Sequence, residues 1–526
     1  MAKKKNSVPE KTVKPAYNSA SAFFNYYLVL MFSVFPLYFS NKYSHIRHDK
    51  LNVFLFFSCV VSIAEVIIAL IAVNERRRIG ELPDKKWYRK LSFTDCAFTA
   101  MILLYIISTL FSAFPMESFT GNSGRNNGLF IFILYFFVYI IASRCFAYKE
   151  YVFLVLAAAC AIVFGLCILN YFYVDPLGML VGYSAKTAED FTSTIGNKNI
   201  MSAFCCLMVP LFMIFFINHE KPVFRYIYLG MTGLGFAAML CADSESGFLG
   251  FIPLLAIILL YYSRNLKKLG MIFVSVSVML AFGKLVRLFS LIMGDKQKGF
   301  GAMQNLFIYS SKSYIILGAC AVLAAVFLLL SRKRKALLPK AVPIVIGSVY
   351  CVGIAVLITL FVHYTFVDTT SKLGSVMKFF RFDEKWGTHR GYMWIKAWEI
   401  FKSSGVKNAI IGWGPDTFYY AFEPYFAELN EKFNNSSTNC AHNEFLNYLV
   451  TGGALFLTAY IATFASAITR AFKKAKGNYL ALAFIAPVVC YLLQSVVNIA
   501  TPIVTPFLFI FMGLAESVCR SKEADE

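Results

Sequence analysis

Long apolar runs separated by short polar stretches recur down the whole chain. They cover approximately 23–40, 51–73, 91–114, 128–146, 151–173, 196–217, 225–242, 246–263, 270–292, 313–331, 341–365, 441–467, 479–497 and 502–518. Most reach the roughly 20 residues that carry a helix through bilayer hydrocarbon. A helix there satisfies its own backbone hydrogen bonds, which water cannot do. The runs lack the alternating pattern of a membrane β-barrel. The pattern predicts an all-α polytopic membrane protein with about 14 transmembrane helices. In the last pair, "NIATPIVTP" fits a broken helix.

The polar stretches set an orientation. "NERRRIGELPDKKWYRK", "SRCFAYKE", "NHEKPVFR", "SRNLKK", "SRKRKALLPK", "TRAFKKAKGN" and "CRSKEADE" alternate with loops poorer in Lys and Arg, such as "PMESFTGNSGRNN" and "ADSES". Basic loops stay in the cytoplasm, so both termini are expected there; "NKYSHIRHDK" is the clearest exception. The expected organisation is a basic tail over 1–22 with no cleavable signal, a bundle over 23–365, a large extracytoplasmic loop over 366–440, further membrane helices over 441–518 and a tail over 519–526.

Composition narrows the class. Of 526 residues, 58% are hydrophobic and only 15% charged, against about a quarter in soluble domains. The net charge of +21 does not indicate nucleic-acid binding, because the lysines and arginines lie in the loops that orient the chain. The 13 cysteines show no metal-ligand spacing; Cys96, Cys160, Cys205, Cys206 and Cys320 sit in apolar runs as small hydrophobes, and Cys440 falls in an outer loop. No Asp-x-Asp metal motif and no cofactor motif is present; Asp49 in the first outer loop is a lone candidate for metal-linked chemistry and is expected to be a surface aspartate.

Candidate chemistry gathers on the outer side. From Arg390, residues Trp394, Ala397, Trp398 and Phe401 recur on one helix face, predicting a helix along the outer leaflet with its guanidinium near the headgroups. "SSG" ends it, and "IIGWGPDTF" supplies Gly412, Gly414 and Pro415 for a tight turn. Next, "AHNEFLNYLVTGG" opens a membrane helix with His442 and Asn443. Helical spacing places Asn443, Asn447 and Thr451 on one stripe, with His442, Leu446, Leu449 and Gly453 on its neighbour. Either the first pair caps the helix at the interface, or the stripe lines a wet cavity. Arg125 in "GNSGRNNGL", Lys198 between Asn197 and Asn199 in "TIGNKN", and Arg381 join them on that side. Such cations suit an anionic lipid headgroup, since arginine's fork matches phosphate.

These motifs resemble the O-antigen ligase and polysaccharide polymerase (WaaL/Wzy-like) superfamily: "GNSGRNNGL", "TIGNKN", "THRGYMW", "IGWGPDTF" and "AHNEFLNYLVTGG", in that order. The resemblance implies a GT-C-like bacterial inner-membrane enzyme with an extracytoplasmic site. It implies metal-independent, inverting transfer of a glycan from undecaprenyl pyrophosphate to an acceptor hydroxyl. It assigns Arg390 and His442 as catalytic. Arg125, Lys198 and Arg381 are further candidates for the pyrophosphate, supported by Asn443, Asn447, Asn197 and Asn199. Where the family has Ser-Arg-Gly at the outer end of a middle helix, "CADSESGFLG" has Glu245, removing a cation expected there. Two other classes fit a chain of this kind: a transporter of lipid-linked glycan, which would use ionisable residues such as Glu65, Lys284 and Arg287 deep in spans, and a non-catalytic partner in polysaccharide assembly.

Overall fold

A computed structural model describes residues 13–78, 90–121, 125–294, 296–299, 301–333, 337–371, 374, 377–435 and 437–521. The first part of the basic tail (1–12), loop residues 79–89, Asn122–Gly124 of the first motif, 334–336 and the last residues (522–526) lie outside them. The chain is helical almost throughout. The first half holds α1 (Val13–Leu37), α2 (Lys42–Arg78), α3 (Phe93–Leu110), α4 (Pro115–Thr120), α5 (Leu129–Cys145), α6 (Glu150–Tyr171) and α7 (Ala185–Asp190). A two-residue ribbon, β1 (Phe191–Thr192) with β2 (Gly196–Asn197), leads into α8 (Lys198–Asn218). Then come α9 (Pro222–Cys241), α10 (Ser246–Tyr262), α11 (Leu266–Met293), the turn α12 (Ala302–Gln304), α13 (Lys312–Lys333) and α14 (Ala341–Val362). The polar segment that follows folds as α15 (Trp386–Ser403), α16 (Gly405–Ile411), α17 (Phe418–Phe422) and α18 (Phe426–Phe433). The chain closes with α19 (Glu444–Lys474), α20 (Tyr479–Gln494) and α21 (Thr505–Arg520).

Each of the predicted spans contains a helix. Among the described residues, 11 helices are long and apolar enough to cross a membrane, and Leu129–Cys145 and Ser246–Tyr262 are shorter apolar helices. The protein is an all-α polytopic membrane protein. Helix α8 is apolar all round and wholly enclosed, as such a sequence requires. Helix α14 is equally apolar yet has no buried residue, which suits a lipid-facing position at the bundle edge.

Contacts between loops define two ends of the bundle. At one, Arg144 and Arg520 both pair with Asp95, Arg470 and Arg520 pair with Glu516, and His219 meets Glu150 at 2.8 Å. Basic loops carrying Arg144, His219, Arg470 and Arg520 lie at this end. At the other, the loop before α5 contacts those before α19 and α21, and the loop between α9 and α10 contacts the start of α8. The segment between α14 and α19 folds over this second end. It has its own small core of Tyr392, Met393, Ala397, Ile400, Phe418, Phe422 and Leu429, tied to the bundle through Ala441 and Val450.

Candidate active site

Helix α19 is broken where its sequence reads Thr451-Gly452-Gly453. Gly453 has φ +77, a region costly for any side chain, and a Cβ there would lie 2.3 Å from the Ile410 carbonyl oxygen. The break leaves helical carbonyls without their usual donors. The Gly-x-Gly turn fills the gap: Trp413 N donates to Val450 O at 3.1 Å, and Gly414 N to Thr451 O at 2.9 Å. Gly412 itself has φ +79, and a Cβ would sit 2.1 Å from Thr451 O. Two glycine motifs far apart in the chain thus dock backbone to backbone and fix the head of α19 beside Asp416.

Asn443 caps that head, its side chain accepting from Leu446 N at 3.0 Å. The helix begins at Glu444, so His442 lies before it, in left-handed backbone with φ +50. A helical stripe starting at His442 therefore does not exist; the loop, not the helix, aims the imidazole. Asn447 Oδ1 accepts from Ala441 N at 3.2 Å, and Thr451 Oγ1 donates to Asn447 O at 2.8 Å. These bonds tie the loop carrying His442 to the first turns of α19.

Arg390 arrives by an unusual route. Gly387, Thr388 and His389 all adopt left-handed backbone, with φ of 60, 61 and 69. Regular helix resumes at Arg390, whose Nη1 donates to Gly387 O at 3.0 Å. Its Nε is buried with no hydrogen-bond partner among the described residues. The buried face of α15 comprises Tyr392, Met393, Ala397 and Ile400, while Trp398 is 47% exposed and stacks on Phe401. The face predicted from Trp394 to Phe401 is thus divided between core and surface.

Arg125 completes the group. Its Nε donates to Asn439 Oδ1 at 2.9 Å and its Nη2 to Cys440 Sγ at 3.0 Å. Both guanidinium charges act on His442. Burial and then the repulsion from Arg125 and Arg390 bring its pKa down to about 3, so the resting imidazole is neutral. Burial also lowers the Arg390 pKa.

Beside Arg125 opens a narrow slot of about 20 Å³, room for about one water. It is lined by Tyr105, Arg125, Asn127, Asp416, Cys440, Glu444, Asn447, Tyr448, Thr451, Ile499 and Ala500. Asp416 Oδ2 accepts from Asn127 N at 3.0 Å. Glu444 is 2% exposed and accepts from Tyr460 (2.6 Å) and Tyr491 (3.1 Å) hydroxyls. The irregular segment between α20 and α21 forms one wall: Asn127 Nδ2 donates to Ala500 O at 2.7 Å, and Asn498 Nδ2 to Asn199 O at 3.0 Å. Irregular backbone at this depth is tolerated because it is buried in protein or lines a cavity.

Other sequence candidates are engaged elsewhere. Lys198 pairs with Asp190 at 3.0 Å, and Arg381 donates to the Tyr364 (3.3 Å) and Asp368 (2.8 Å) carbonyls. Asn197 caps α8, and Asn199 accepts from Ser244 Oγ at 2.8 Å. Glu245, at the departure from the family pattern, accepts from Ala302 N at 3.1 Å, beside Asp243, which accepts from Gly301 N at 3.0 Å. Burial raises the pKa of both carboxyls. That pair holds the α11–α13 loop and offers no charge suited to a phosphate. Asp49, expected at the surface, is instead buried and accepts from Ser40 N and Oγ, both at 2.7 Å. Among the described residues, no group of three His, Cys, Asp or Glu side chains gathers as a metal site would. Sequence reasoning missed Asp416, Glu444 and Asn127, which the fold brings to one slot.

Residues 299–461 match the family of O-antigen ligases. The match spans Arg390, the Gly-x-Gly turn, His442 and the break in α19, and it supports the WaaL/Wzy-like resemblance carried by the motifs. A search of curated proteins found no match.

Proposed function

We propose that this protein transfers a glycan from undecaprenyl pyrophosphate to an acceptor hydroxyl, as a ligase or polymerase of surface polysaccharide. The observation that carries the reading is the meeting of Arg390, Arg125 and His442 ahead of α19, partly within the O-antigen ligase match. The acceptor oxygen attacks the anomeric carbon from the face opposite the pyrophosphate. The bond from that carbon to the pyrophosphate oxygen breaks, and undecaprenyl pyrophosphate departs. Arg390 and Arg125 stabilise the charge growing on the leaving group, so the reading needs no metal. His442 takes the acceptor proton.

Burial first, and then the two guanidiniums, depress the basicity of His442 in the free protein. With both guanidiniums uncovered, the imidazole is neutral and a weak base. A bound pyrophosphate offsets the guanidinium repulsion but not the burial, and so raises the basicity in part. Basicity then rises only when donor is in place. The gathering of basic loops at the opposite end supports a cytoplasmic position for that end, with the site outside and the chain in a bacterial inner membrane.

The test is mass spectrometry of lipid-linked glycans in a deletion strain complemented with wild type, His442→Ala or Arg390→Ala. Both variants are expected to accumulate undischarged donor like the deletion: single repeats for a polymerase, full chains for a ligase. Stably inserted variants that restore wild-type glycan would sink the mechanism.

A further inference from the structure

Three side-chain oxygens converge on the bare face of Gly301. Asp243 Oδ1 accepts from Gly301 N at 3.0 Å, and Glu245 Oε1 accepts from Ala302 N at 3.1 Å. Gln304 is fully buried, and its Nε2 donates to Leu240 O at 3.2 Å. That bond settles the amide's orientation, because a flipped amide would set two acceptors against each other. Gln304 Oε1 therefore points the other way, buried and without a hydrogen-bond partner among the described residues. A Cβ on Gly301 would lie 2.7 Å from Gln304 Oε1 and 3.3 Å from both Asp243 Oδ1 and Glu245 Oε1. The three oxygens surround one point, and glycine keeps that point free of side chain.

Such a cluster is electron-rich and short of donors. Neither carboxylate lies within ion-pair distance of a Lys or Arg among the described residues. Lys198 pairs with Asp190 at 3.0 Å, and Lys298 Nζ donates to the Ala188 and Phe191 carbonyls at 2.9 and 2.7 Å. A buried acceptor left unpaired beside two carboxylates is costly. A water brings two hydrogens for three oxygens and offsets no charge. A hard cation serves all three at once, and two carboxylates with an amide carbonyl are ligands of the kind calcium takes. The third ligand is an amide oxygen, which distinguishes the cluster from a site built of His, Cys, Asp and Glu alone. Such an ion is smaller than water and draws oxygens to about 2.3–2.6 Å. Ligands that close round it therefore leave no water-accessible surface on Gln304. Asp243 and Glu245 are partly exposed, so the open side of the ion faces water.

We propose that Asp243, Glu245 and Gln304 bind a hard divalent cation, calcium by their chemistry, at the same end of the bundle as the transfer site. Calcium fits better than magnesium because it accepts irregular oxygen sets, whereas magnesium demands a near-ideal octahedron. The ion ties the turn between α9 and α10 to the start of α12. Between its two carboxylates, Ser244 Oγ donates to Asn199 Oδ1 at 2.8 Å, and Asn498 Nδ2 donates to Asn199 O at 3.0 Å. The clamp thereby steadies the head of α8 and the irregular segment before α21. The transferase reading gives this ion no chemical step, and the proposal stands independently of that reading.

The test uses purified full-length protein in detergent, stripped with a chelator that is then removed. Thermal unfolding is followed against calcium chloride, magnesium chloride, and sodium chloride matched for ionic strength; bound calcium is counted by atomic emission. Wild type should take up a single calcium per chain and unfold at a higher temperature as calcium is added, until the site saturates. The double variant Asp243→Asn, Glu245→Gln keeps the shape and the backbone bonds but removes both charges. It should bind calcium about 100-fold more weakly, since ligand charge sets such affinities. Gly301→Ala keeps every ligand and puts a methyl where they converge. Gly301 has φ −76, which alanine adopts freely, so this variant serves if the double variant fails to fold. It should lose the calcium shift as well. A shift by either divalent ion that the folded variants lose supports the site, and the ion giving the larger shift is its occupant. Wild type indifferent to both ions, a shift that sodium chloride reproduces, or variants that respond like wild type would overturn the proposal. Stability that rises as pH falls, with no response to either ion, would assign a proton between a carboxyl and Gln304 and overturn it equally.

Discussion

At the scale of single residues, the account turns on His442 among positive charges. Its folded pKa of about 3 lies below the ordinary histidine value of about 6.5. The free protein therefore holds this imidazole unprotonated through the mildly acidic range. The acid limb of kcat/KM, which reports free enzyme, should fall well below pH 6. The acid limb of kcat, which reports the donor complex, should lie at higher pH, because bound pyrophosphate offsets Arg125 and Arg390. A pH–rate series on both parameters checks this; a kcat/KM inflection near 6.5 that matches the kcat limb would contradict it. Arg390→Lys keeps the charge but loses the planar fork, so activity should fall between wild type and Arg390→Ala. His442, Arg390 and Arg125 were visible in the sequence because each sits in a short motif beside an apolar run. Asp416, Glu444 and Asn127 were not. Glu444 reads as an ordinary first-turn carboxylate, and only the distant Tyr460 and Tyr491 reveal its burial.

At the scale of elements, backbone geometry aims these groups. The left-handed run Gly387–His389 precedes Arg390, and Thr388 and His389 carry side chains in a conformation that costs roughly 1–2 kcal/mol per residue. Thr388→Gly should raise unfolding stability by about 1 kcal/mol while lowering transfer activity, since the guanidinium loses a rigid support. Thermal unfolding and turnover measured on one preparation would check both halves. The break at Gly453 makes the opposite case. Gly453→Ala puts a Cβ against the Ile410 carbonyl in a backbone region it disfavours, and should cost at least about 2 kcal/mol. The sequence marked "IGWGPDTF" as a turn, whereas "TGG" lay inside a membrane helix expected to be continuous. Their pairing was not legible, because it is made by backbone N–H and C=O groups, which leave no side-chain signature. The amphipathic helix from Arg390 was readable from periodicity. Which of its aromatics face the core depends on the tertiary partners α17 and α19.

At the scale of the molecule, hydropathy carried most of the fold: every predicted span holds a helix, because length and apolarity in a bilayer leave few alternatives. With exposed Cys96 and Cys351 replaced, a cysteine at Val406, which is 78% exposed, should react with an impermeant maleimide on spheroplasts. One at Lys473 should react only after permeabilisation; the reverse pattern would place the site in the cytoplasm. Two of the three deep ionisable groups that a transporter would use are engaged. Lys284 donates to the carbonyls of Ile308 and Ser310, and Arg287 lies over Tyr309, both at the end of α11 nearest the site. The central claim is that guanidinium and imidazole together perform glycosyl transfer. Its most direct measurement is turnover of lipid-linked glycan by purified, vesicle-reconstituted protein. Wild type should release undecaprenyl pyrophosphate with formation of a new glycosidic bond, and His442→Ala should be slower by roughly 10²–10⁴-fold. A His442→Ala protein that turns over at the wild-type rate would contradict the account.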